Sequence, residues 1–209
     1  MDLRLYLVTD SSLSRGRPLP GILDAALRGG VTMVQYREKS ATTRQMIEEA
    51  GELCALCRAA GVSFIVNDRL DIALAVGADG LHVGQDDMPV RLARVLLGPG
   101  KILGVSANNP AEALDAVAGG ADYIGASPVF ATPTKPDAPK PLELSGLRQV
   151  AAAVSVPVVA IGGINAQNAA SVIDAGAAGV AVVSAIVGAD NVETAARAIR
   201  AVVDRAIGR

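Results

Sequence analysis

The stretch "GADGLHV", Gly77–Val83, returns along the chain as "GADYIGA", Gly120–Ala126, and as "GAAGVAV", Gly176–Val182. A fourth copy opens with "GGVT", Gly29–Thr32. Each copy passes from glycine through small or acidic residues into a short apolar run. That order reads as the end of a helix followed by a β-strand, because glycine readily takes the left-handed conformation that closes helices. The glycines stand at 30, 77, 120 and 176, so the spacings are 47, 43 and 56 residues. A closed barrel built of four similar quarters produces such a period, whereas an open sheet has no reason for it.

Working outward from the repeats, short β-branched runs alternate with longer helical patterns. Strands are expected at Leu5–Thr9, Thr32–Tyr36, Ser63–Asn67, Gly80–Val83, Ile102–Val105, Tyr123–Gly125, Val156–Ile161 and Gly179–Val183. Between them, Met46, Ala50, Leu53, Leu56, Cys57 and Ala60 keep helical spacing, as do Val192, Ala195, Ala196, Ile199, Val202 and Val203. Several strands are apolar on both faces, as in a parallel sheet covered by helices. Eight strand-then-helix units predict an α/β chain folded as one (β/α)8 barrel, the TIM barrel, over residues 1–209. A doubly wound open sheet is the alternative, and the period argues against it.

Composition narrows the class. The chain has 209 residues, enough for one domain with a substantial core. It is 51% hydrophobic but only 2% aromatic, with no Trp, so that core must be aliphatic. A net charge of −2 argues against electrostatic capture of nucleic acid. No apolar run reaches membrane length, and "MDLRLYLVTD" lacks the features of a secretory leader. A cytoplasmic location is therefore expected. Cys54 and Cys57 have CxxC spacing, which suits a redox pair or half a metal site. There is no second cysteine pair and His82 is the only histidine. The pair therefore reads as small apolar residues on the buried face of a helix.

In a barrel the active site lies where the strands end, and nearly every strand end here is polar. In "QYREK" the side chains of Gln35, Arg37 and Lys39 alternate, which puts an amide and two cations on one face. That set suits a phosphate or diphosphate. Asp68 and Asp87 follow strands three and four. They could be salt-bridge partners of those cations, or they could hold Mg²⁺, a hard cation that takes a few carboxylates plus phosphate oxygens. Asp71 and Asp86 are close in sequence, and Asp86 could instead belong to the first turn of the next helix. "AIGGIN" and "VVSAI" close strands seven and eight, the usual phosphate cradle of this fold. There Gly162 and Gly163 would let backbone approach an anion, or would simply make a tight turn. The long last interval of the repeat holds "SPVFATPTKPDAPKPLELSG", Ser127–Gly146, which reads as a loop inserted after strand six. Its Thr132, Thr134 and Lys135 could reach both anion sites.

At these residues the chain resembles the thiamine phosphate synthase family. The likeness rests on "LYLVTD", "VQYREK", "IVNDRLDIAL", "GADGLHVGQDD", "GVSA", "GADYIGASPVFATPTK", "PVVAIGGI" and "GVAVVSAI". It implies an enzyme that couples hydroxymethylpyrimidine diphosphate to a thiazole phosphate, or its carboxylated form. The products would be thiamine monophosphate and pyrophosphate. By the matching motifs, Arg37, Lys39, Asn67, Ser106 and Lys135 would face the diphosphate, and Asp68 and Asp87 would hold Mg²⁺. Thr132, Thr134, Gly163, Val183 and Ser184 would hold the thiazole phosphate, and Gln35 and His82 would meet the pyrimidine ring. His82 also reads as a satisfied histidine inside a strand. The sequence leaves a homo-oligomer open.

Two positions depart from the family pattern. Ser127-Pro128 stands where many relatives read Gly-Pro, and Glu143 stands where many have glycine. If that glycine serves a positive φ, the loop must adapt here. A related thiazole tautomerase carries a histidine after strand six, where this chain has Pro128, and lacks the full metal and diphosphate set. A sugar- or indole-phosphate barrel would need one anion site rather than two. A non-catalytic paralogue has no use for Arg37, Lys39, Asp68, Asp87 and Lys135 together.

Overall fold

The computed structural model describes residues 1–132 and 140–208. Eight parallel strands close into one barrel: β1 (Leu5–Val8), β2 (Met33–Tyr36), β3 (Ser63–Asn67), β4 (Gly80–Val83), β5 (Ile102–Ala107), β6 (Tyr123–Ala126), β7 (Val158–Ile161) and β8 (Gly179–Val182). β1 pairs with both β2 and β8, which rules out the open sheet. The helices are α1 (Leu19–Arg28), α2 (Thr43–Ala60), α3 (Leu70–Ala75), α4 (Val90–Leu97), α5 (Pro110–Ala118), α6 (Glu143–Ala153), α7 (Ala169–Asp174), α8 (Ser184–Val187) and α9 (Val192–Ile207). The eight expected strands are all present, with small shifts at their ends. β5 runs on to Ala107. β7 starts at Val158 rather than Val156, where Pro157 has no N–H to give a ladder.

The repeat has a physical cause beyond its glycines. Gly30, Gly77, Gly120 and Gly176 all have positive φ, between +65° and +101°. Two residues on, an acceptor side chain ties three of the four quarters to the preceding strand, and the fourth has Ala178 there. Asp79 Oδ2 accepts the Phe64 N–H at 2.8 Å, and Asp122 Oδ2 accepts the Leu103 N–H at 2.8 Å. Thr32 Oγ1 does the same for the Leu5 N–H at 3.0 Å. These side chains supply partners for strand-start donors that would otherwise lack one.

Burial follows the two-sided pattern of the strands. One large cluster lies between barrel and helices and is almost wholly aliphatic. A second fills the barrel interior: Leu3, Tyr6, Val8, Met33, Ile65, Tyr123, Val159 and Ala181. At roughly 25 cal/mol per Å² of apolar surface removed from water, these clusters are the main stabilising term. Cys54 and Cys57 lie buried on α2 in the outer cluster, in line with their reading as small apolar residues on a buried helix face. Burial pushes the Cys57 thiol up to about 12 and raises that of Cys54 as well, so both stay protonated. Among the described residues no helix is long and apolar enough to cross a membrane.

Candidate active site

The strands deliver their C-terminal ends to one cavity of about 560 Å³. Its lining includes Gln35, Arg37, Lys39, Asn67, Asp68, His82, Asp87, Ser106, Thr132, Gly163, Val183 and Ser184. These are the expected site residues, brought together from β2 to β8. Thr134 and Lys135 lie outside the described residues. Asp86 lines the cavity too, well before α4 begins at Val90. Asp71 does not: it lies exposed in the first turn of α3, paired with Arg69 at 2.6 Å.

The cationic wall is built by strand ends that cap one another. The Arg37 N–H donates to Thr9 Oγ1 at 3.0 Å, and Arg37 Nη1 donates to Asp10 Oδ2 at 2.8 Å. Asp10 thus aims the guanidinium, a role the sequence did not signal beyond its place after β1. Glu38 staples the same turn: its Oε1 accepts from the N–H groups of Lys39 and Ser40, and Oε2 accepts from Ser11 Oγ. Burial works against the Glu38 charge, but the bonds from Ser11, Ser40 and Lys39 outweigh it and hold the carboxyl down at about 2.

Opposite Lys39 stands the acidic pair. Lys39 Nζ lies 2.6 Å from Asp68 Oδ2, so the salt-bridge reading of Asp68 holds in this structure. Asp68 has φ +58°, and the Arg69 N–H reaches back to Asn67 O at 2.6 Å, a one-residue turn with Asp68 at its apex. Left-handed backbone is better tolerated by Asp than by most residues, and strain of this sort collects at functional sites. The Asp68 N–H donates to His82 O at 2.8 Å, which joins the turn to β4. Asp87 closes the next turn by accepting the Gly84 N–H at 2.7 Å. Burial and the neighbouring Asp87 carboxylate raise the Asp68 carboxyl, while Lys39 opposes them. Two carboxylates pressed together fit a divalent cation. Among the described residues no cluster of three His, Cys, Asp or Glu could cage a metal. A cation held by these two carboxylates would leave its other positions to water and phosphate oxygen.

Beneath the charged rim the cavity floor is a buried polar chain. Gln35 Nε2 donates to Tyr6 Oη at 2.9 Å, and Tyr6 Oη lies 2.8 Å from Tyr123 Oη. Tyr123 Oη is 2.9 Å from His82 Nδ1, and His82 Nε2 is 2.9 Å from Ser106 Oγ. Burial pushes the His82 imidazole down to about 4, against the pull of Asp87, so it is neutral at pH 7. His82 is therefore both a satisfied strand histidine and part of the cavity lining. Tyr6 and Tyr123 were not singled out by the sequence. A signal that could have found them is the presence of Gly104 and Gly125 inside strands, where glycine often marks a close approach.

Across the mouth, Gly162 (φ +108°) and Gly163 (φ +63°) make the turn after β7. Their closest neighbours belong to the start of the loop after β6. A Cβ on Gly162 would lie 2.7 Å from Pro128 Cβ, and one on Gly163 would lie 2.9 Å from Phe130 Cβ. The Val129 N–H donates to Ile161 O and the Phe130 N–H to Gly162 O, at 2.8 and 3.1 Å. The double glycine thus first serves packing between two loops, while Gly163 still lines the cavity. At the far end of the same loop, Glu143 has φ +55°, the conformation expected if a glycine is usual there.

The chain matches the family model described as thiamine monophosphate synthase over residues 5–186. It is 64% identical to the thiamine-phosphate synthase of Chloroflexus aurantiacus, over 97% of this chain and 94% of that one. It is 54% identical to the thiamine-phosphate synthase of Moorella thermoacetica, over 98% of both. A solved thiamine phosphate pyrophosphorylase from Pyrococcus furiosus superposes with a TM-score of 0.92 at 43% identity, covering 99% of this chain and 98% of that one. The cations and acids gathered at one barrel mouth agree with these likenesses: the chain belongs to the thiamine monophosphate synthase family, and its activity is that of a thiamine-phosphate synthase, a transferase.

Proposed function

We propose that the cavity binds its two substrates on opposite walls. Arg37, Lys39, Asn67, Ser106 and Lys135 take the diphosphate of hydroxymethylpyrimidine diphosphate. Asp68 and Asp87 hold Mg²⁺ against that diphosphate; when bound, the cation neutralises charge on the leaving group. Thr132, Thr134, Gly163 and the backbone at Val183 and Ser184 take the phosphate of the thiazole substrate. Gln35 and His82 sit below, where the pyrimidine ring would enter.

The bond from the pyrimidine methylene carbon to diphosphate oxygen breaks, and both electrons leave with the diphosphate. The thiazole nitrogen lone pair then bonds to the methylene cation, giving thiamine monophosphate and free pyrophosphate. No proton needs to be removed at either reacting atom, and the neutral, doubly hydrogen-bonded His82 fits a site without a general base. Catalysis is instead a matter of meeting charge as it develops on the leaving oxygen, where a single donor is worth roughly 10²–10³ in rate.

The observation that carries this reading is one cavity lined by Arg37, Lys39, Asp68, Asp87 and Ser106 from the ends of β2 to β5 and by Thr132, Gly163 and Ser184 from those of β6 to β8. The test supplies both substrates with Mg²⁺ and follows pyrophosphate and thiamine monophosphate together. Equimolar release of both products is expected, falling away when Mg²⁺ is chelated. A folded protein that forms neither product would overturn the reading.

A further inference from the structure

Beneath the proposed diphosphate wall, the chain of bonds from Gln35 to Ser106 has a direction that its own chemistry imposes. An amide nitrogen has hydrogens and no lone pair to accept with. Gln35 Nε2 can therefore only donate to Tyr6 Oη, at 2.9 Å. Each phenol has one proton. If Tyr123 gave its proton to Tyr6, the Tyr6 oxygen would accept twice and its own proton would have no partner in the chain. The arrangement that uses every donor runs one way: Tyr6 to Tyr123, Tyr123 to His82 Nδ1, and His82 Nε2–H to Ser106 Oγ. Ser106 Oγ then spends a lone pair on the imidazole, and its single proton points elsewhere. Ser106 lines the cavity, so the open direction is toward the diphosphate.

The barrel is shaped to hold this order. In the strand ladder His82 is level with Gly104, and Gly104 is level with Tyr123. The two side chains meet over the glycine between them. A Cβ on Gly104 would sit 2.3 Å from the Tyr123 hydroxyl and 2.5 Å from His82 Nδ1, in the space their hydrogen bond occupies. A Cβ on Gly125 would come within 3.0 Å of His82 Cε1. Two neighbouring strands thus give up side chains around one imidazole. The Tyr6 and Tyr123 rings meet edge to face, with centroids 6.0 Å apart, which restrains both hydroxyls.

We propose that Tyr6, Tyr123 and His82 are positioning residues that fix the Ser106 hydroxyl as a hydrogen-bond donor to the departing diphosphate. Without the chain, the Ser106 hydroxyl is free to turn toward His82 Nε2 and present a lone pair to an anion. The inference rests on the reading of Ser106 as a diphosphate contact, and its test separates the two.

His82 is the only histidine, so histidine labelled with ¹⁵N gives one imidazole in the NMR spectrum of the intact enzyme. The expected spectrum is the Nε2–H tautomer, with Nδ1 unprotonated. In Tyr123→Phe the donor to Nδ1 is gone and the Nδ1–H form should appear. Tyr123→Phe should lower kcat roughly ten- to hundredfold, as for a small misplacement near the reacting atoms, and leave KM for the thiazole phosphate unchanged. In a Ser106→Ala background the same change should have little further effect, because linked residues are non-additive. A milder variant, Tyr6→Phe, should give a smaller loss of the same kind. An Nδ1–H tautomer in the unaltered protein overturns the chain direction and leaves the Ser106 assignment standing. A Tyr123→Phe loss that persists in full with Ser106→Ala shows that Tyr123 acts on substrate by itself, and overturns the proposal. Ser106→Ala with unaltered turnover removes the Ser106 assignment and the proposal together.

Discussion

Substituting Glu143 by alanine and by glycine measures what the left-handed residue at the head of α6 costs. Glu143 has φ +55°, with its side chain in solvent. Its N–H donates to Val129 O at 3.0 Å, and the Leu142 N–H donates to Pro128 O at 2.9 Å. Those two bonds pin the returning end of the loop to its start, so the backbone cannot relax without losing them. In this conformation a Cβ crowds the following carbonyl, at a cost of about 1–2 kcal/mol. Glycine avoids that crowding but loses more backbone freedom on folding, roughly 0.5–1 kcal/mol. Alanine keeps the Cβ and removes only the carboxylate, which separates charge from strain. Glu143→Gly should therefore be more stable than Glu143→Ala by about 0.5–1 kcal/mol. For a chain of this size that is a difference of about 1–4 °C in Tm. At an ordinary helical position the order is reversed, with alanine ahead by about 1 kcal/mol, so the sign decides. The assay is paired thermal and urea unfolding of the two variants, with equal slopes required in urea. Equal stability, or alanine ahead of glycine, would refute the claim that Glu143 holds a strained turn.

Asp68→Asn keeps a residue tolerant of φ +58° and removes one of two crowded charges. Because the Asp68 carboxyl is raised in the fold, its charge costs stability above its titration. The variant should melt higher than the parent without Mg²⁺ at pH 7, and should lose the gain of about 2.7 kcal/mol expected at a hundred times Kd of Mg²⁺. A variant that keeps the full Mg²⁺-dependent rise would remove Asp68 from the ligand set. Glu38 is held down at about 2, so its stabilisation is present above the usual Glu range and lost as pH falls toward 2. Glu38→Gln should lower stability by about 1 kcal/mol at pH 7, and the gap should close between about pH 4.5 and 2; a gap independent of pH contradicts the staple. Lys135→Ala should lower kcat about a hundredfold or more, and near-parental turnover would take Lys135 out of the site.

Much of this architecture can be read from the chain because its units repeat. Gly77 and Gly120 mark helix ends, and Asp79 and Asp122 show why the acid follows two residues later: each serves a strand-start N–H. Gln35, Arg37 and Lys39 were readable as a set because alternation along an extended segment is a local property. What escaped is what depends on reach across the barrel. Tyr6 and Tyr123 are 117 residues apart in sequence, and nothing local says that their hydroxyls meet. The Arg37–Asp10 pair is likewise an encounter between two strand ends, visible only once β1 and β2 are side by side. For Gly162 and Gly163, local chemistry says only that backbone comes close, and the partner turned out to be Pro128 and Phe130. Strand ends shifted by a residue or two where Pro157, or the continued pairing of β5, set the limit of the ladder.

The contact between Gly162–Gly163 and Pro128–Ala131 bears on how such barrels exchange parts. Loops at a barrel mouth are commonly treated as separable pieces, swapped one at a time to change chemistry. Here the two segments are mates: with any side chain at residue 163, its Cβ would press on Phe130 and on the Ala131 carbonyl, at 2.9 and 2.8 Å. A graft that carried residues 127–146 into a barrel lacking these glycines would find its seat occupied. The unit that can be transplanted, and that inheritance must preserve together, is the loop after β6 joined to the turn after β7.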